Sequence, residues 1–194
     1  MSPRRRRTSA LLLESALIVA SILLAFALSG WWETRQEQRL GERALASFEQ
    51  EILQNRENLV AVMPYHRHLH ALFSDLSVSG AVRTFDDIRY LDGFDGWQPP
   101  VLTSTAWSTA IATGALAVLD FDTVREISAV YTLQDRFVRH SDGSFLTAPG
   151  ALTDANIGAT LISAEIFLTD VTNTSLDMVA AYDGLLESLA RRQR

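Results

Sequence analysis

Residues 10–30 read ALLLESALIVASILLAFALSG, 21 residues with a single charge at Glu14. A helix of that length rises about 31 Å, enough to cross the hydrocarbon core of a bilayer. Four arginines, Arg4 to Arg7, precede the run, and Trp31 and Trp32 follow it. Basic flanks favour the cytoplasmic side, and indoles settle in the headgroup belt. The expectation is a single-span membrane protein. Residues 1–9 form a basic cytoplasmic tail, residues 10–31 the transmembrane helix, and residues 32–194 an extracytoplasmic domain. Arg35, Arg39 and Arg43 lie near the outer end and reduce the charge bias that sets this orientation.

A cleaved signal peptide is the rival reading, with Ala27 and Ser29 as small residues before a cut. The apolar stretch is long for a signal-peptide core and the helical pattern runs on beyond it, so a retained anchor is expected. Thr8-Ser9-Ala10 follows the arginines where a twin-arginine signal needs bulky apolar residues. Glu14 stands about one turn inside the run, where a carboxylate is costly unless it snorkels, protonates or finds a partner. It either reaches the headgroups beside the arginines or pairs with a polar group on another membrane helix. No GxxxG is present to draw two spans together.

The stretch from Glu14 to Phe26, ESALIVASILLAF, is followed by Trp32-Glu33-Thr34-Arg35 and by Glu51-Ile52-Leu53-Gln54-Asn55. This arrangement resembles a bacterial family of uncharacterised single-span proteins, in which an E-x-x-L-I-V-x-x-I-L-I-A span precedes N-W-x-E-x-R and then E-I-x-x-N. The likeness extends from the N-terminus to about Val60. Gly30-Trp31 stands where many relatives carry Asn-Asn, and Trp107 to Leu116 matches more loosely. The resemblance implies a membrane anchor and a helical outer domain, and it supplies no activity.

The outer part of the chain, 32–194, is long enough for one domain with its own core. Every basic residue is arginine and alanine is abundant, which suggests a GC-rich bacterial genome. The expected location is then the inner membrane, with the domain in the periplasm. There is no cysteine, so neither a disulfide nor a thiolate metal site is available. From Trp32 onward 13 arginines face 22 acids, a balance that argues against nucleic acid as a partner.

Leu40, Ala44, Phe48, Ile52, Leu59, Val62, Leu69, Phe73 and Leu76 recur at mostly three, four or seven residues, a helical spacing. Pro64 falls inside this run. Because the register continues past it, a kink is expected, with a break into two helices as the alternative. Residues 77–103 hold Gly80, Gly93, Gly96 and Pro99-Pro100 and read as a long loop, with a short turn of helix capped by Thr84. Thr103 or Ser104 begins a helix that ends at Gly114. Asp120 caps another, through about Val138, with Val124, Ile127, Tyr131 and Val138 facing inward. Ser141-Asp142-Gly143 and Pro149-Gly150 mark turns.

From Ile157 the residues Leu161, Ala164, Leu168, Val171, Ser175, Met178, Tyr182, Leu185 and Leu189 alternate spacings of four and three, a heptad seam over about 32 residues. Thr153 or Asp154 caps its start, and Arg191, Arg192 and Arg194 close it. The seam can bury itself within the chain or in a dimer. Strand signals are nearly absent. The fold class is all-α, one transmembrane helix continuing into an antiparallel helical bundle, with the C-terminal helix returning toward the bilayer.

His66 and His70 stand one helical turn apart, a spacing a metal can bridge, but His68 points elsewhere and Asp75 lies off that face. Asp86, Asp87, Asp92 and Asp95 surround Tyr90, Phe94 and Trp97 without the alternation of a calcium loop. The histidines read best as polar residues on the surface, and the aspartates as solvated acids flanking buried aromatics. Trp107, Thr109, Thr113 and Gly114 suggest close helix packing. No nucleophile-elbow pattern accompanies the serines and histidines. Asn173-Thr174-Ser175 is a formal glycosylation sequon on a helix of a bacterial chain and is discounted. No catalytic, cofactor or metal residues are assigned.

The expected function is a non-catalytic, membrane-anchored interaction module whose partner is another envelope protein or a second copy. A periplasmic domain sensing a small molecule or ion through a partner protein is the alternative. Only nine residues precede the span, which weighs against signalling by this chain alone.

Overall fold

The computed structural model describes residues 3–142 and 153–192. The chain is all-helical, 85% helix, with no strand among the described residues. Helix α1 spans Pro3–Ser79 without interruption. It is followed by α2 (Phe85–Arg89), α3 (Thr105–Thr113), a 3-10 turn over Ala115–Val118, α4 (Phe121–Ser141), a second 3-10 turn over Asp154–Asn156, and α5 (Ile157–Arg192). Gly143, Pro149, Gly150 and Arg194 lie outside the described residues.

The apolar part of α1 is long and apolar enough to cross a membrane, with a mean hydropathy of 1.6 over its best window. None of that window is buried against the rest of the protein. A core helix of a soluble domain would be covered, so this segment has no packing role inside the chain. Further along, α1 enters the bundle at Leu40. The helix continues through Pro64, so the two-helix alternative does not hold. The proline ring removes one backbone bond, to the carbonyl of Val60. Both residues are exposed, so water can occupy the vacated acceptor.

Helices α1 and α5 form an antiparallel pair in a strict register. Arg56 Nε donates to Asp183 Oδ1 at 2.5 Å, the His70 ring meets Thr169 Oγ1 at 2.9 Å, and Ser74 donates to Glu165 at 3.0 Å. The step forward from Arg56 to His70 on α1 equals the step back from Asp183 to Thr169 on α5. All nine seam residues of α5 named from the sequence are buried, and all of them within this single chain.

Two apolar cores line the pair. In the one nearer the apolar segment, Phe48, Ile52 and Leu59 meet Met178, Tyr182, Leu185 and Leu189 under α3 and α4. In the distal one, Leu69, Phe73 and Leu76 meet Leu161, Leu168 and Val171, with Val82 and Ile88 of the loop as the lid. Each fully buried large aliphatic side chain contributes about 1.5–3 kcal/mol relative to exposure. By the α1–α5 register the last turn of α5, at Arg192, sits level with Ser47, while Gly41, nearer the apolar segment, faces Val118 and Leu119. The basic end of α5 is partly neutralised within the fold. Arg192 pairs with Asp120 at 3.3 Å and with Glu126 at 2.8 Å, and Arg191 reaches Glu187 at 3.7 Å.

The caps follow the sequence with two instructive departures. Thr84 and Asp87 form a reciprocal capping box on α2, Asp120 accepts from the Thr123 amide on α4, and Thr153 and Asn156 form a box on the second 3-10 turn. Gly114 ends α3 at φ +73°, a left-handed conformation that favours glycine. Ser104, however, makes no side-chain cap on α3. On α4, Val138 is exposed and the buried residues past Tyr131 are Gln134, Phe137 and Ser141. The helix runs on beyond Val138, to Ser141.

Candidate functional site

The apolar spacing along α1 jumps by seven twice, from Ile52 to Leu59 and from Val62 to Leu69. The positions that would complete the heptads are Asn55 and His66. Both are buried, at 0% and 1% exposure. Each anchors one part of the loop that runs from Gly80 to Ser104.

Asn55 is the hub of a polar cluster inside the first core. Its Nδ2 donates to the Thr103 carbonyl at 2.7 Å and to Gln134 Oε1 at 3.0 Å, and its Oδ1 accepts from the Thr103 amide at 2.9 Å. Gln134 Nε2 donates to the same Thr103 carbonyl at 2.8 Å, and Tyr182 donates its hydroxyl to Gln134 Oε1 at 2.7 Å. One turn earlier on α1, Glu51 accepts from the Ala106 amide at 3.1 Å, from the Thr103 hydroxyl at 3.1 Å and from the Tyr131 hydroxyl at 2.6 Å. Glu51 thus supplies from another helix the anionic cap that Ser104 does not give to α3. Burial and the neighbouring Glu51 carboxylate push the Tyr131 hydroxyl far above its ordinary range, and burial does the same for Tyr182. Both phenols are held as neutral hydrogen-bond donors, so the cluster works as a staple.

His66 lies in a second, aromatic niche. Its ring stacks on Trp97 with centroids 4.4 Å apart, and Phe167 meets the indole edge-on at 5.0 Å. Its Nε2 is 2.8 Å from the Gln98 carbonyl. A carbonyl only accepts, so this nitrogen carries the hydrogen and Nδ1 is bare. Nδ1 is buried without a partner. The Trp97 indole donates to the Ser141 carbonyl at 2.9 Å, which ties the loop to the end of α4. Tyr65 adds a further clamp, donating to the Gly96 carbonyl at 2.6 Å and accepting from the Asp95 amide at 2.9 Å.

Burial in this niche lowers the His66 pKa, partly opposed by the bond to Gln98. The unfolded chain then binds a proton more readily than the fold near pH 6. Stability from this residue is complete above the ordinary histidine pKa of about 6.5 and is lost as pH falls toward the lower folded value. One proton sets a ceiling of about 1.4 kcal/mol per pH unit. Urea midpoints between pH 5 and 7.5 should rise more steeply for the wild type than for His66→Leu. Parallel curves would mean that His66 is protonated equally in both states.

The three histidines of Tyr65-His66-Arg67-His68-Leu69-His70 are not brought together. His66 faces the niche, His70 bonds Thr169, and His68 packs beside Gly93. Gly93 has φ +81°, and a Cβ there would lie 2.5 Å from His68 Nε2, so both backbone and space call for glycine. Among the described residues no group of three or more His, Asp or Glu could hold a metal ion. Asp86, Asp87, Asp92 and Asp95 are all exposed, Tyr90 is exposed, and Phe94 and Trp97 are partly buried. On α3, Ala106 and Ala110 face inward while Thr109 and Thr113 face solvent; Trp107 stacks on Tyr131 at 5.7 Å.

Sequence reasoning missed a surface on α5. Gly158, Ile162, Ile166, Thr169, Asn173, Leu176, Ala180 and Gly184 follow spacings of four and three and share one face, about 160° from the buried seam. All eight are exposed and none is charged. Ile162, Ile166 and Leu176 are each more than half exposed. Glu165, Asp170, Asp177 and Asp183 border the strip. A solvated helix face ordinarily carries its charges there. The signal was present as a second helical run of uncharged positions, three or four residues apart, offset from the seam. Neither a known protein-family model, nor a curated protein, nor a solved structure matches this chain.

Proposed function

We propose that this chain is a non-catalytic interaction module of the bacterial inner membrane, held by residues 10–31 as a retained single-pass anchor. The N-terminal tail faces the cytoplasm and the bundle stands in the periplasm. The bundle docks a helix of another envelope protein, or of a second copy, along the uncharged face of α5. The observation that carries this reading is that face: eight exposed, uncharged positions three or four residues apart, rimmed by acids, on a domain that is otherwise strongly acidic. Exposed apolar strips with polar rims mark protein contacts. Leu53 and Val60, exposed and two turns apart on α1, add apolar surface to the pair. The sensing alternative draws on the acidic loop, whose four aspartates are exposed, with the Asp87 carboxylate committed to the Arg83 and Thr84 amides.

A photo-crosslinking residue placed at Ile166 in the full chain, in native membranes, tests the proposal. The expected product is a covalent adduct with a second polypeptide, while the same probe at Arg136 on α4 gives none. An adduct of twice the chain mass identifies a homodimer. Ile166→Glu should abolish the adduct from a probe at Leu176 and leave thermal stability within about 0.5 kcal/mol, as for other surface changes. Equal labelling at Ile166 and Arg136 would sink the docking face.

A further inference from the structure

Between the apolar run and the bundle, α1 crosses a short stalk with no other helix against it. A groove of about 660 Å³ follows one side of this stalk, lined by Trp31, Trp32, Arg35, Arg39, Leu40 and Arg43. The three arginines recur every fourth residue and share a face. Glu33 and Glu37 stand two residues from Arg35 and Arg39, on the far side of the helix, while Glu42 falls on the arginine side, three residues past Arg39 and next to Arg43. The stalk also contrasts with the bundle above it, whose net negative charge repels an anionic surface.

Side chains on a helix lean toward its N-terminus. On α1 that direction is toward the apolar run. Arg35 shows the lean: its guanidinium lies over the Trp31 ring, one turn back, 5.4 Å from the centroid. Headgroups occupy roughly 5–8 Å on each side of the hydrocarbon. Counted from Gly30 at about 1.5 Å per residue, the Arg35 guanidinium lies level with the indoles. The same lean brings that of Arg39 to about 7.5 Å, the outer edge of the layer. The guanidinium of Arg43 stays at about 13.5 Å, beyond it.

We infer that Arg35 and Arg39, with Trp31 and Trp32 as the floor, form a binding surface for the phosphate of an anionic phospholipid in the leaflet that the stalk leaves. The planar guanidinium matches a phosphodiester with two parallel hydrogen bonds, and the indoles lie beside the glycerol and upper acyl chain. The inference rests on the reading of residues 10–31 as a retained anchor. It predicts a gradient along the stripe. Each arginine within the layer favours an anionic over a zwitterionic lipid about fivefold. Arg43 contributes little.

The test uses the full chain reconstituted in phosphatidylcholine vesicles containing a minor fraction of bromine-labelled lipid, either phosphatidylglycerol or phosphatidylcholine, which quenches nearby indoles. Intact mass is measured first to establish that the apolar segment is retained. The expected result is stronger quenching by brominated phosphatidylglycerol. That preference falls several-fold in Arg35→Gln and Arg39→Gln, disappears in the double variant, and persists in Arg43→Gln. Equal quenching by both lipids in the wild type overturns the phosphate site while leaving the anchor intact. So does a preference that survives the double variant, or one that Arg43→Gln weakens as much as Arg35→Gln, since a soluble acidic partner or a diffuse field would weight the three alike. A cleaved chain, or no quenching by either lipid, overturns the anchor and the site together.

Discussion

Leu168→Asp should unfold the distal half of the bundle. Leu168 is 2% exposed, at the middle of the α5 seam, among Leu161, Ala164, Val171 and the α1 residues Leu69 and Phe73. A carboxylate there loses the transfer energy of the leucine and must either stay charged in apolar surroundings or take up a proton. Together these cost several kcal/mol, comparable to the whole stability of an ordinary domain. Circular dichroism at pH 7 should show a loss of cooperative melting or a midpoint lowered by roughly 10 °C or more. Ser163→Asp, on the exposed side of the same helix, is the control and should change little. Equal melting of wild type and Leu168→Asp would mean that α5 does not pack along this stripe.

The long seams were legible because a heptad repeat states both the helix and the face it buries. On α5 every seam residue read from the spacing is buried, and on α1 Ala44, Phe48, Ile52, Leu59, Leu69, Phe73 and Leu76 are too. The loop from Gly80 to Ser104 was legible as a loop, from its glycines and prolines, but its fixing was not. Its anchors, Asn55, His66, Glu51 and Gln134, are polar residues, and periodicity weighs only apolar ones. Their trace in the sequence is negative: two gaps of seven on α1, and the absence of an apolar residue at Gln134, three after Tyr131. Val138 was misassigned for the same reason, since once Gln134 takes the inward position, Phe137 follows it and Val138 turns out. The cap on α3 was illegible in principle, because it comes from Glu51, on a different helix far upstream in the chain. The α5 surface strip needed a second register to be sought beneath a stronger one.

Asn55→Leu separates these two kinds of information. By apolar patterning alone it completes the α1 heptad and should stabilise the fold. By hydrogen bonding it should do the reverse. The substitution strands the Thr103 amide, whose acceptor was Asn55 Oδ1, and removes one of the two donors to the Thr103 carbonyl and one of the two to Gln134 Oε1. These bonds are partly to fully buried, and the groups left unpaired cost about 1–3 kcal/mol in all, more than the burial of one added aliphatic side chain can reliably offset in a site shaped for an amide. The expected net effect is a loss of about 2 kcal/mol, with the residues around Thr103 and the start of α3 released first. Hydrogen exchange at Thr103 and Ala106 reads that release directly. Gln134→Leu should act in the same direction by stranding the Tyr182 hydroxyl, which is fully buried. If the pair acts as one network, the double variant Asn55→Leu/Gln134→Leu costs less than the two single losses added together, because each single change already breaks bonds that the other shares. A stable Asn55→Leu with unchanged exchange at Thr103 would show that the seam tolerates leucine there, and that the polar cluster does not hold the loop against the bundle.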